Sequence, residues 1–212
     1  MKRSTKNRWV ESGFRTVSRT LLRQEFHSIS VSVTDHPLPS YGIFLMNHSS
    51  WWDGLLAHLI NDKVLKTDAH IMIDEEGMNR FPVFSYVGGF SVDQSSLSHT
   101  KNSLLYAEDL LKQKKGVFLF PQGDEQHQEL RPLKFLKGAA FLMKRVPSVP
   151  VTPILFYYSF GHYKKPEVYI KIGVPIWEYL PVQKWETIME QELDSLKQKV
   201  IKEDFHSFTP LL

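Results

Sequence analysis

Two short runs of the chain are apolar at every position, GIFLM at 42–46 and VFLFP at 117–121. Successive side chains of a β-strand point to opposite faces, so a strand without a polar position is buried on both faces. A sheet built on such strands must carry helices on both sides. The runs therefore predict an α/β fold with a mixed, mostly buried sheet.

The segments around these runs fit the same architecture. Apolar or alternating patterns predict strands at 28–33, 69–73, 88–93, 150–158 and 168–173, and helical patterns predict helices at about 51–61, 98–115, 134–145 and 183–202. The chain has 212 residues, of which 42% are hydrophobic and 23% charged, and it contains no internal repeat or linker. We therefore predict a single globular domain at 28–212, preceded by a helix at 1–27.

The first 27 residues predict a basic amphipathic helix. Apolar residues recur at steps of three and four, and basic residues occupy other positions: Trp9, Val10, Phe14, Val17, Leu21 and Leu22, against Lys2, Arg3, Lys6, Arg8, Arg15, Arg19 and Arg23. Such a helix either lies on an anionic membrane surface or packs its apolar stripe on the domain's own core. A nucleic-acid partner is not expected, because the net charge is only +3 and no recognition motif accompanies the basic segment.

Residue types and segments that the chain lacks narrow its class. It has no cysteine, which excludes disulfides and thiolate chemistry and is consistent with a reducing compartment. No stretch reaches the roughly 18 apolar residues that a membrane-spanning helix needs, and no export signal is recognisable. We therefore expect a cytoplasmic protein, peripheral on the inner face of the membrane.

His48 and Asp53 follow the first apolar run and form the first candidate site. Five residues along one helix correspond to a rotation of about 140° beyond a full turn, so the two side chains would point apart. They meet only if a helix begins between them, and Ser50 with Asp53 three residues later is typical of a helix start. His48 then lies in the preceding loop, where Asp53 can orient it as a general base. Alternatively, Asp53 only caps the helix and His48 has no chemical role.

Other chemistry at this position has less support. No glycine-flanked turn surrounds Ser49 or Ser50, as a serine nucleophile would require. No second histidine stands at a helical ligand spacing from His48, so we predict no metal. A general base is the remaining role.

Four blocks, in the same order, resemble the glycerolipid and lysophospholipid acyltransferase family. NHSSWWD at 47–53 is similar to the family's His-four-residues-Asp motif, and GGFSVDQ at 88–94 is similar to its second block. LFPQGDE at 119–125 resembles the third block, usually Phe-Pro-Glu-Gly-Thr-Arg, and residues 135–154 resemble the fourth. With the tail IKIGVPI at 170–176, the match covers most of the domain.

The resemblance implies an α/β enzyme that moves a fatty acyl group from acyl-CoA or acyl carrier protein (acyl-ACP) to a lipid hydroxyl, without a cofactor. It implies His48 as the base that deprotonates the acceptor, and Asp53 as the residue that holds this base. Substrate contacts are expected from the rest of the first three blocks: Asn47, Ser49, Ser50, Phe90, Asp93, Gln94, Pro121, Gln122, Gly123, Asp124 and Glu125. The implied partners are the acyl donor, the lipid acceptor and a membrane surface.

Two blocks depart from the family pattern where arginines of family members hold an acceptor phosphate. Gln94 replaces the usual arginine of the second block, and Gln122, Asp124 and Glu125 replace the usual Glu, Thr and Arg of the third. Carboxylates repel a phosphate and suit the hydroxyls of a sugar or polyol. We therefore predict a glycolipid or another neutral lipid alcohol as the acceptor.

Three alternatives stay open. Arg131, Lys134 and Lys137 are near enough in sequence to hold the phosphate of a 1-acylglycerol-3-phosphate acceptor. The same base also serves a hydrolase or a transacylase that uses no thioester. Finally, the drift of the third block is compatible with a non-catalytic, lipid-binding member of the family.

Overall fold

Eight strands form one mixed sheet in the computed structural model, which describes residues 1–212. The strands are β1 (Ser28–Val33), β2 (Gly42–Met46), β3 (Ala69–Asp74), β4 (Gly89–Val92), β5 (Gly116–Leu119), β6 (Val151–Ser159), β7 (Glu167–Ile172) and β8 (Thr209–Pro210). Their order across the sheet is β4-β3-β5-β2-β6-β7-β1-β8. The strands from β4 to β6 run parallel and β7 is antiparallel to β6, so the predicted mixed sheet is confirmed.

Helices cover both faces of the sheet, as the sequence predicts. They are α1 (Arg8–Glu25), α2 (Asp53–Ile60), α3 (Glu75–Arg80), α4 (Leu97–Lys112), α5 (Lys137–Arg145) and α6 (Val182–Ile201), with a π-helical turn at Asn61–Leu65 and a 3₁₀ helix at Pro82–Val87. One part of the core, which includes Leu104, Leu142 and Trp185, lies between the sheet and α4, α5 and α6. The other part, which includes Leu22 and Leu56, lies beneath α1 and α2. Burial on both faces explains why β2 has no polar position.

The parallel strands bring their carboxyl ends to one edge of the sheet. β2 lies between β5 and β6, with Leu45 opposite Leu119 and Met46 opposite Ile154. The loops that leave β2 and β5 therefore meet at this edge, and the end of β6 lies beside them. In open α/β sheets, ligands bind at the carboxyl ends of the strands. The fold thus places the first and third sequence blocks side by side.

The N-terminal helix is shorter than the predicted segment 1–27. Residues 1–7 form no regular secondary structure; the Ser91 N–H of the edge strand β4 donates to the Lys2 carbonyl at 2.9 Å, and the N–H groups of Thr5 and Asn7 donate to the 3₁₀ helix. Asn7 then caps α1 with its side chain. Lys2 therefore pairs with part of a sheet edge that would otherwise present unpaired backbone groups.

The two sides of α1 have different surroundings. Leu22 is buried in the core, and Phe14 packs on the ring of His58. Trp9 and Val17, by contrast, are 88% and 57% exposed. One side of the helix therefore packs on the domain, and the other leaves apolar groups in solvent. None of the chain's helices has both the length and the apolar character that crossing a membrane requires.

Candidate active site

His48 and Asp53 meet at the carboxyl edge of the sheet. His48 lies in the loop after β2, and its Nδ1 is 2.9 Å from Oδ2 of Asp53. Asp53 is the first residue of α2 and is completely buried. Its Oδ2 also accepts hydrogen bonds from the N–H groups of Ser49, at 2.7 Å, and Ser50, at 2.9 Å. The carboxylate is thus held by the same loop that carries the imidazole.

The helix begins at Asp53, later than the predicted residue 51, and His48 lies in the loop before it, as the meeting of the two side chains requires. The Ser50 hydroxyl accepts from the Trp52 N–H at 3.3 Å, and Oδ2 of Asp53 accepts from the Ser50 N–H, so both side chains hold the turn that precedes the helix. Residues 51–52 form a turn before the first α-helical residue. Trp52 packs edge-on against Phe26 in the core, whereas Trp51 is half exposed.

Tyr158 is a third member of the site, and the sequence did not single it out. It lies near the end of β6, and its hydroxyl donates a hydrogen bond to Oδ1 of Asp53. Burial, followed by the negative charge of Asp53, raises the pKa of Tyr158 well above its ordinary value, so it remains a donor at neutral pH. The pattern PVTPILFYY predicts the strand, but only the parallel pairing of β6 with β2 brings its end to Asp53.

The loop after β5 holds the main chain of His48. The His48 N–H donates to Oε1 of Gln122 at 2.7 Å, and the His48 carbonyl accepts from the Gln126 N–H at 2.9 Å. Nε2 of Gln122 donates to Oε1 of Gln126 at 3.1 Å, which ties the two glutamines together. The imidazole also stacks on Phe120, with 4.4 Å between the ring centroids. These contacts fix the ring and leave its Nε2 without a partner in the protein.

A cavity of about 620 Å³ opens beside His48. Apolar side chains form much of its wall, among them Trp51, Leu55, Phe84 and Leu104. A cavity of this size with a mostly apolar wall and a few polar groups is typical of a small-molecule site. The free ring nitrogen of His48 therefore lies beside a space that suits an apolar ligand.

The charged groups around the cavity are mostly acidic. Asp74, Glu76, Asp124 and Glu125 line it, and Arg80 is the only arginine or lysine that does. Arg80 is exposed, and its guanidinium lies over the ring of the adjacent phenylalanine. The wall therefore carries a surplus of negative charge at neutral pH.

The basic residues downstream of the third block do not reach this cavity. Arg131 donates to Asp194 at 2.6 Å and to two backbone carbonyls. Lys134 and Lys137 are exposed, and neither lines the cavity. A role of these three residues in holding an acceptor phosphate stays a prediction, and none of them lines the cavity in this structure.

Five predicted substrate contacts line the cavity: Gln94, Pro121, Gly123, Asp124 and Glu125. Gly123 turns the chain with a φ of +86°, and a side chain there would also collide with Leu136, so the position requires glycine. Nε2 of Gln94 donates to the Gly123 carbonyl at 3.4 Å. The second and third blocks are thus joined at the cavity wall.

Three predicted substrate contacts have side chains engaged inside the protein, and none of the three lines the cavity. The buried amide of Asn47 binds both backbone groups of Phe156, at 2.7 and 3.0 Å, which links the loop after β2 to β6. Phe90 is completely buried and packs edge-on against Tyr106. Gln122 is buried against the main chain of the histidine loop.

Asp93, Ser49 and Ser50 also lie outside the cavity wall. Asp93 forms a second His–Asp pair in the domain, with Nδ1 of His99 at 2.9 Å from its Oδ2. The two serines contribute their N–H groups to Asp53. Their backbone groups thus position the carboxylate, and their role as substrate contacts stays a prediction.

His58 is a second histidine of the cavity wall that the sequence did not single out. It lies one turn after Gly54 on α2, and its ring stacks on Phe14 with 4.9 Å between centroids. Burial lowers the pKa of His58 to about 4, so the ring is neutral at neutral pH. No group of three or more His, Asp or Glu side chains lies close enough together to hold a metal ion.

Comparisons with known proteins bear on both the family and the fold. A family model described as Acyltransferase matches residues 30–157, which include His48, Asp53 and the loop after β5. Among solved structures, the chain is similar to the 1-acyl-sn-glycerophosphate (LPA) acyltransferase PlsC from Thermotoga maritima, with a TM-score of 0.59 and 15% identity over 89% of this chain and 81% of that chain. At 15% identity, this similarity supports a shared fold and nothing more specific. A comparison with curated protein sequences gives no match.

Proposed function

The chain belongs to the acyltransferase family, and from this premise we propose that it moves a fatty acyl group from a thioester to a lipid hydroxyl. The donor is acyl-CoA or acyl-ACP. The observation that carries the proposal is the position of His48: Asp53 binds its Nδ1 at 2.9 Å, and its free Nε2 lies beside an apolar cavity. That arrangement is the one a general base needs.

In the proposed reaction, Nε2 of His48 takes the proton of the acceptor hydroxyl as its oxygen attacks the thioester carbonyl. Asp53 accepts a hydrogen bond from Nδ1 and stabilises the imidazolium that forms. The C–S bond then breaks, and the leaving thiolate receives the proton from the imidazolium. The N–H groups of Asp124 and Glu125 donate to no protein group, and we assign them to the oxyanion of the tetrahedral intermediate.

The acidic wall favours a neutral acceptor headgroup. A phosphate would meet the carboxylates of Asp124 and Glu125, whereas carboxylate and amide oxygens accept hydrogen bonds from hydroxyl groups. We therefore propose a glycolipid or another neutral lipid alcohol as the acceptor. The discriminating assay is a panel of acceptors with palmitoyl-CoA as the donor. Turnover of 1-acylglycerol-3-phosphate, with none on neutral lipids, would exclude this assignment.

A 1-acylglycerol-3-phosphate acceptor is the second candidate, and Arg80 is the feature that favours it. Arg80 lines the cavity and makes no ion pair, so it is free to bind a phosphate. If it does, Arg80→Ala should raise KM for 1-acylglycerol-3-phosphate and leave KM for monoacylglycerol unchanged. Equal effects on the two acceptors would exclude phosphate binding by Arg80.

We also propose that the exposed side of α1 docks the protein on an anionic membrane as a peripheral protein. Trp9 and Val17 are exposed there, and Arg8 and Arg23 are exposed and unpaired. Trp9→Ala should weaken binding to vesicles that contain phosphatidylglycerol. Trp177→Ala, which removes an exposed tryptophan far along the chain, is the matched control. Equal binding by both variants would refute docking through α1.

The replacement of His48 by Ala tests the mechanism. Loss of a general base costs typically about 10²- to 10⁴-fold in rate, and we expect that loss in thiol release from palmitoyl-CoA with little change in Tm. His99→Ala is the control, because His99 also lies 2.9 Å from an aspartate but outside the cavity. Full activity of the His48→Ala protein would rule the mechanism out. Failure of the wild-type protein to turn over any donor would instead support a non-catalytic, lipid-binding role.

A further inference from the structure

The end of β6 has no neighbouring strand on the side of β2. The pairing of the two strands ends at Met46 and Ile154, because β2 stops there while β6 continues to Ser159. Alternate residues of a strand turn their backbone groups to the same side, so Phe156 and Tyr158 face the open side, as Ile154 faces β2. Backbone groups inside a protein need partners, and these two residues must find theirs outside the sheet.

Two side-chain amides take the place of the missing strand. Asn47 binds both backbone groups of Phe156, and Gln128 binds both backbone groups of Tyr158. The Tyr158 N–H donates to Oε1 of Gln128, and Nε2 of Gln128 donates to the Tyr158 carbonyl, both at 2.9 Å. A side-chain amide offers an acceptor and a donor, as a peptide group does. Gln128 therefore holds the main chain of Tyr158 as a paired strand would.

Tyr158 in turn holds one oxygen of the Asp53 carboxylate. Its hydroxyl donates to Oδ1, which accepts from no other group of the chain. Oδ2 accepts from the N–H groups of Ser49 and Ser50 and lies 2.9 Å from Nδ1 of His48. The contacts of Oδ2 are sufficient to keep it in place without the tyrosine. The tyrosine therefore controls how the negative charge is shared between the two oxygens.

We propose that Tyr158, held by Gln128, is a positioning residue for His48: through its hydrogen bond to Asp53, it limits how firmly the imidazole binds a proton. The proposal rests on the proposed acyl transfer, in which the imidazole takes a proton from the acceptor hydroxyl and gives it to the leaving thiolate. A donor on Oδ1 draws negative charge away from Oδ2, so the imidazolium is stabilised less. A base that must both take up and release a proton works best when its proton affinity matches the working pH.

The other ionisable groups near His48 do not bind Asp53. Burial, then Asp53 and, more weakly, Glu125 raise the pKa of Tyr158 well above its ordinary value, so its hydroxyl remains a donor. Burial lowers the pKa of His58, on the cavity wall, to about 4, so this ring is uncharged at neutral pH. The remaining charged groups of the wall are Asp74, Glu76, Arg80 and Asp124. Since all of these stay in place when the Tyr158 hydroxyl is removed, a change at His48 reports on Asp53.

The adjacent tyrosine provides a matched control. The Tyr157 hydroxyl donates to Oε1 of Glu129 at 3.0 Å. Neighbouring residues of a strand point to opposite faces, and neither Tyr157 nor Glu129 lines the cavity. Tyr157→Phe and Tyr158→Phe therefore each remove one hydroxyl from one carboxylate, but only the second carboxylate binds His48.

The first measurement is the pH titration of His48 by NMR, in protein with ¹⁵N-labelled histidine. The signals of His48 are identified by their absence from the His48→Ala protein. Tyr158→Phe should move the midpoint of this titration upwards by about 0.5 to 1 pH unit, a three- to tenfold gain in proton affinity, because Asp53 regains charge. Tyr157→Phe should leave the midpoint at the wild-type value. An unchanged or lowered midpoint in Tyr158→Phe, or equal shifts in the two variants, would overturn the proposal.

Gln128→Ala tests the support of Tyr158, and it serves as the test if Tyr158→Phe does not fold. Gln128 is only partly buried, so water can replace its amide in the variant. The midpoint should again move upwards, by less than in Tyr158→Phe, and Gln128→Ala should cause no further shift when it is combined with Tyr158→Phe. No shift in Gln128→Ala, or additive shifts in the double variant, would overturn the role of Gln128.

A kinetic test separates this inference from the proposed reaction. The acid limb of the pH profile of kcat/KM, for thiol release from palmitoyl-CoA, should move upwards in Tyr158→Phe by the same amount as the NMR midpoint. The variant should therefore lose more activity in acidic than in alkaline buffer. A wild-type protein that releases no thiol would refute the proposed reaction and leave the NMR result valid. An active protein whose pH profile is unchanged by Tyr158→Phe would overturn the inference.

Discussion

The replacement of Asp53 by Asn removes the charge of the site and keeps its shape. The oxygen of an asparagine can take the place of Oδ2 and accept from the N–H groups of Ser49 and Ser50. Its NH₂ group then faces Tyr158, whose hydroxyl can reverse its role and accept. The imidazole of His48 keeps an acceptor for Nδ1 but loses the negative charge that balances an imidazolium.

The size of the effect follows from the geometry. Unit charges 2.9 Å apart attract by about 6 kcal/mol at an effective dielectric constant of about 20, which sets the upper limit. The lower limit is the roughly 1.5 kcal/mol of a weak hydrogen bond to a charged group. Since about 1.4 kcal/mol corresponds to tenfold in rate, kcat should fall by between about tenfold and about 10⁴-fold. Sharing of the charge with Tyr158 and two N–H groups places the expected value between these limits.

The assay measures thiol release from palmitoyl-CoA for Asp53→Asn, His48→Ala and the double variant. Because Asp53 is proposed to act only through His48, the double variant should be no slower than His48→Ala alone. Asp93→Asn is the control, since Asp93 also lies 2.9 Å from a histidine but away from the cavity. An additive loss in the double variant, or an equal loss in the control, would refute the reasoning.

Changes at three further residues test the groups that support the site and the fold. Tyr158→Phe leaves Oδ1 of Asp53 without its donor, so the free energy of unfolding in urea should fall by about 1–3 kcal/mol. Gln122→Ala removes the acceptor of the histidine N–H and should lower kcat, whereas Gln122→Glu keeps an acceptor oxygen and should retain activity. Hydrogen bonds from Arg145, the larger effect, and from Lys112 lower the pKa of buried Glu108 from 4.5 to about 2. Ionised Glu108 therefore stabilises the wild-type protein fully above about pH 4.5, and this stabilisation is lost as the pH falls towards 2. The Tm difference between the wild type and Glu108→Gln should shrink over that range.

Each of these expectations has a result that contradicts it. A Tyr158→Phe protein as stable as the wild type would mean that the hydroxyl does not stabilise the buried carboxylate. Equal activities of Gln122→Ala and Gln122→Glu would mean that the loop does not position the histidine. A Tm difference for Glu108→Gln that does not change between pH 7 and pH 3 would mean that its ion pair with Arg145 contributes nothing.

The fold was predictable because strands that are apolar at every position indicate burial on both faces of the sheet. The residues at which the helices and strands begin and end were not predictable. β2 and β5 are apolar at every position. This pattern follows from the helix layers on both faces of the sheet, whichever strands lie next to β2 and β5. The position of Lys2 depends on a free edge at β4, which no local pattern reveals. The sequence of an element predicts which of its faces must be buried. The order of the strands in the sheet decides which residues bury them.

The same distinction applies to the site. His48 and Asp53 lie within six residues of each other, so the geometry of a helix start suffices to predict that they meet. Tyr158 reaches Asp53 only because β6 lies next to β2, and sequence distance hides that contact. Phe90 lies opposite Met72 in the register of β4 with β3, but every residue of β4 is buried and the Phe90 ring packs on Tyr106, which the sequence alone does not reveal. Local geometry was thus predictable, and the contributions of neighbouring strands were not.

The departures from the family pattern are of two kinds, and only one concerns the substrate. Gln122 stands where a glutamate is usual, but it accepts from the backbone of His48, which an amide oxygen does as readily as a carboxylate. Gln94 and Glu125 line the cavity where arginines are usual, so they change its charge. Restoring both arginines should therefore raise the kcat/KM ratio of 1-acylglycerol-3-phosphate to a neutral acceptor, by about tenfold for each charge-assisted pair that forms. Gln122→Glu should leave that ratio unchanged, and a ratio that responds to residue 122 but not to residues 94 and 125 would place acceptor recognition elsewhere.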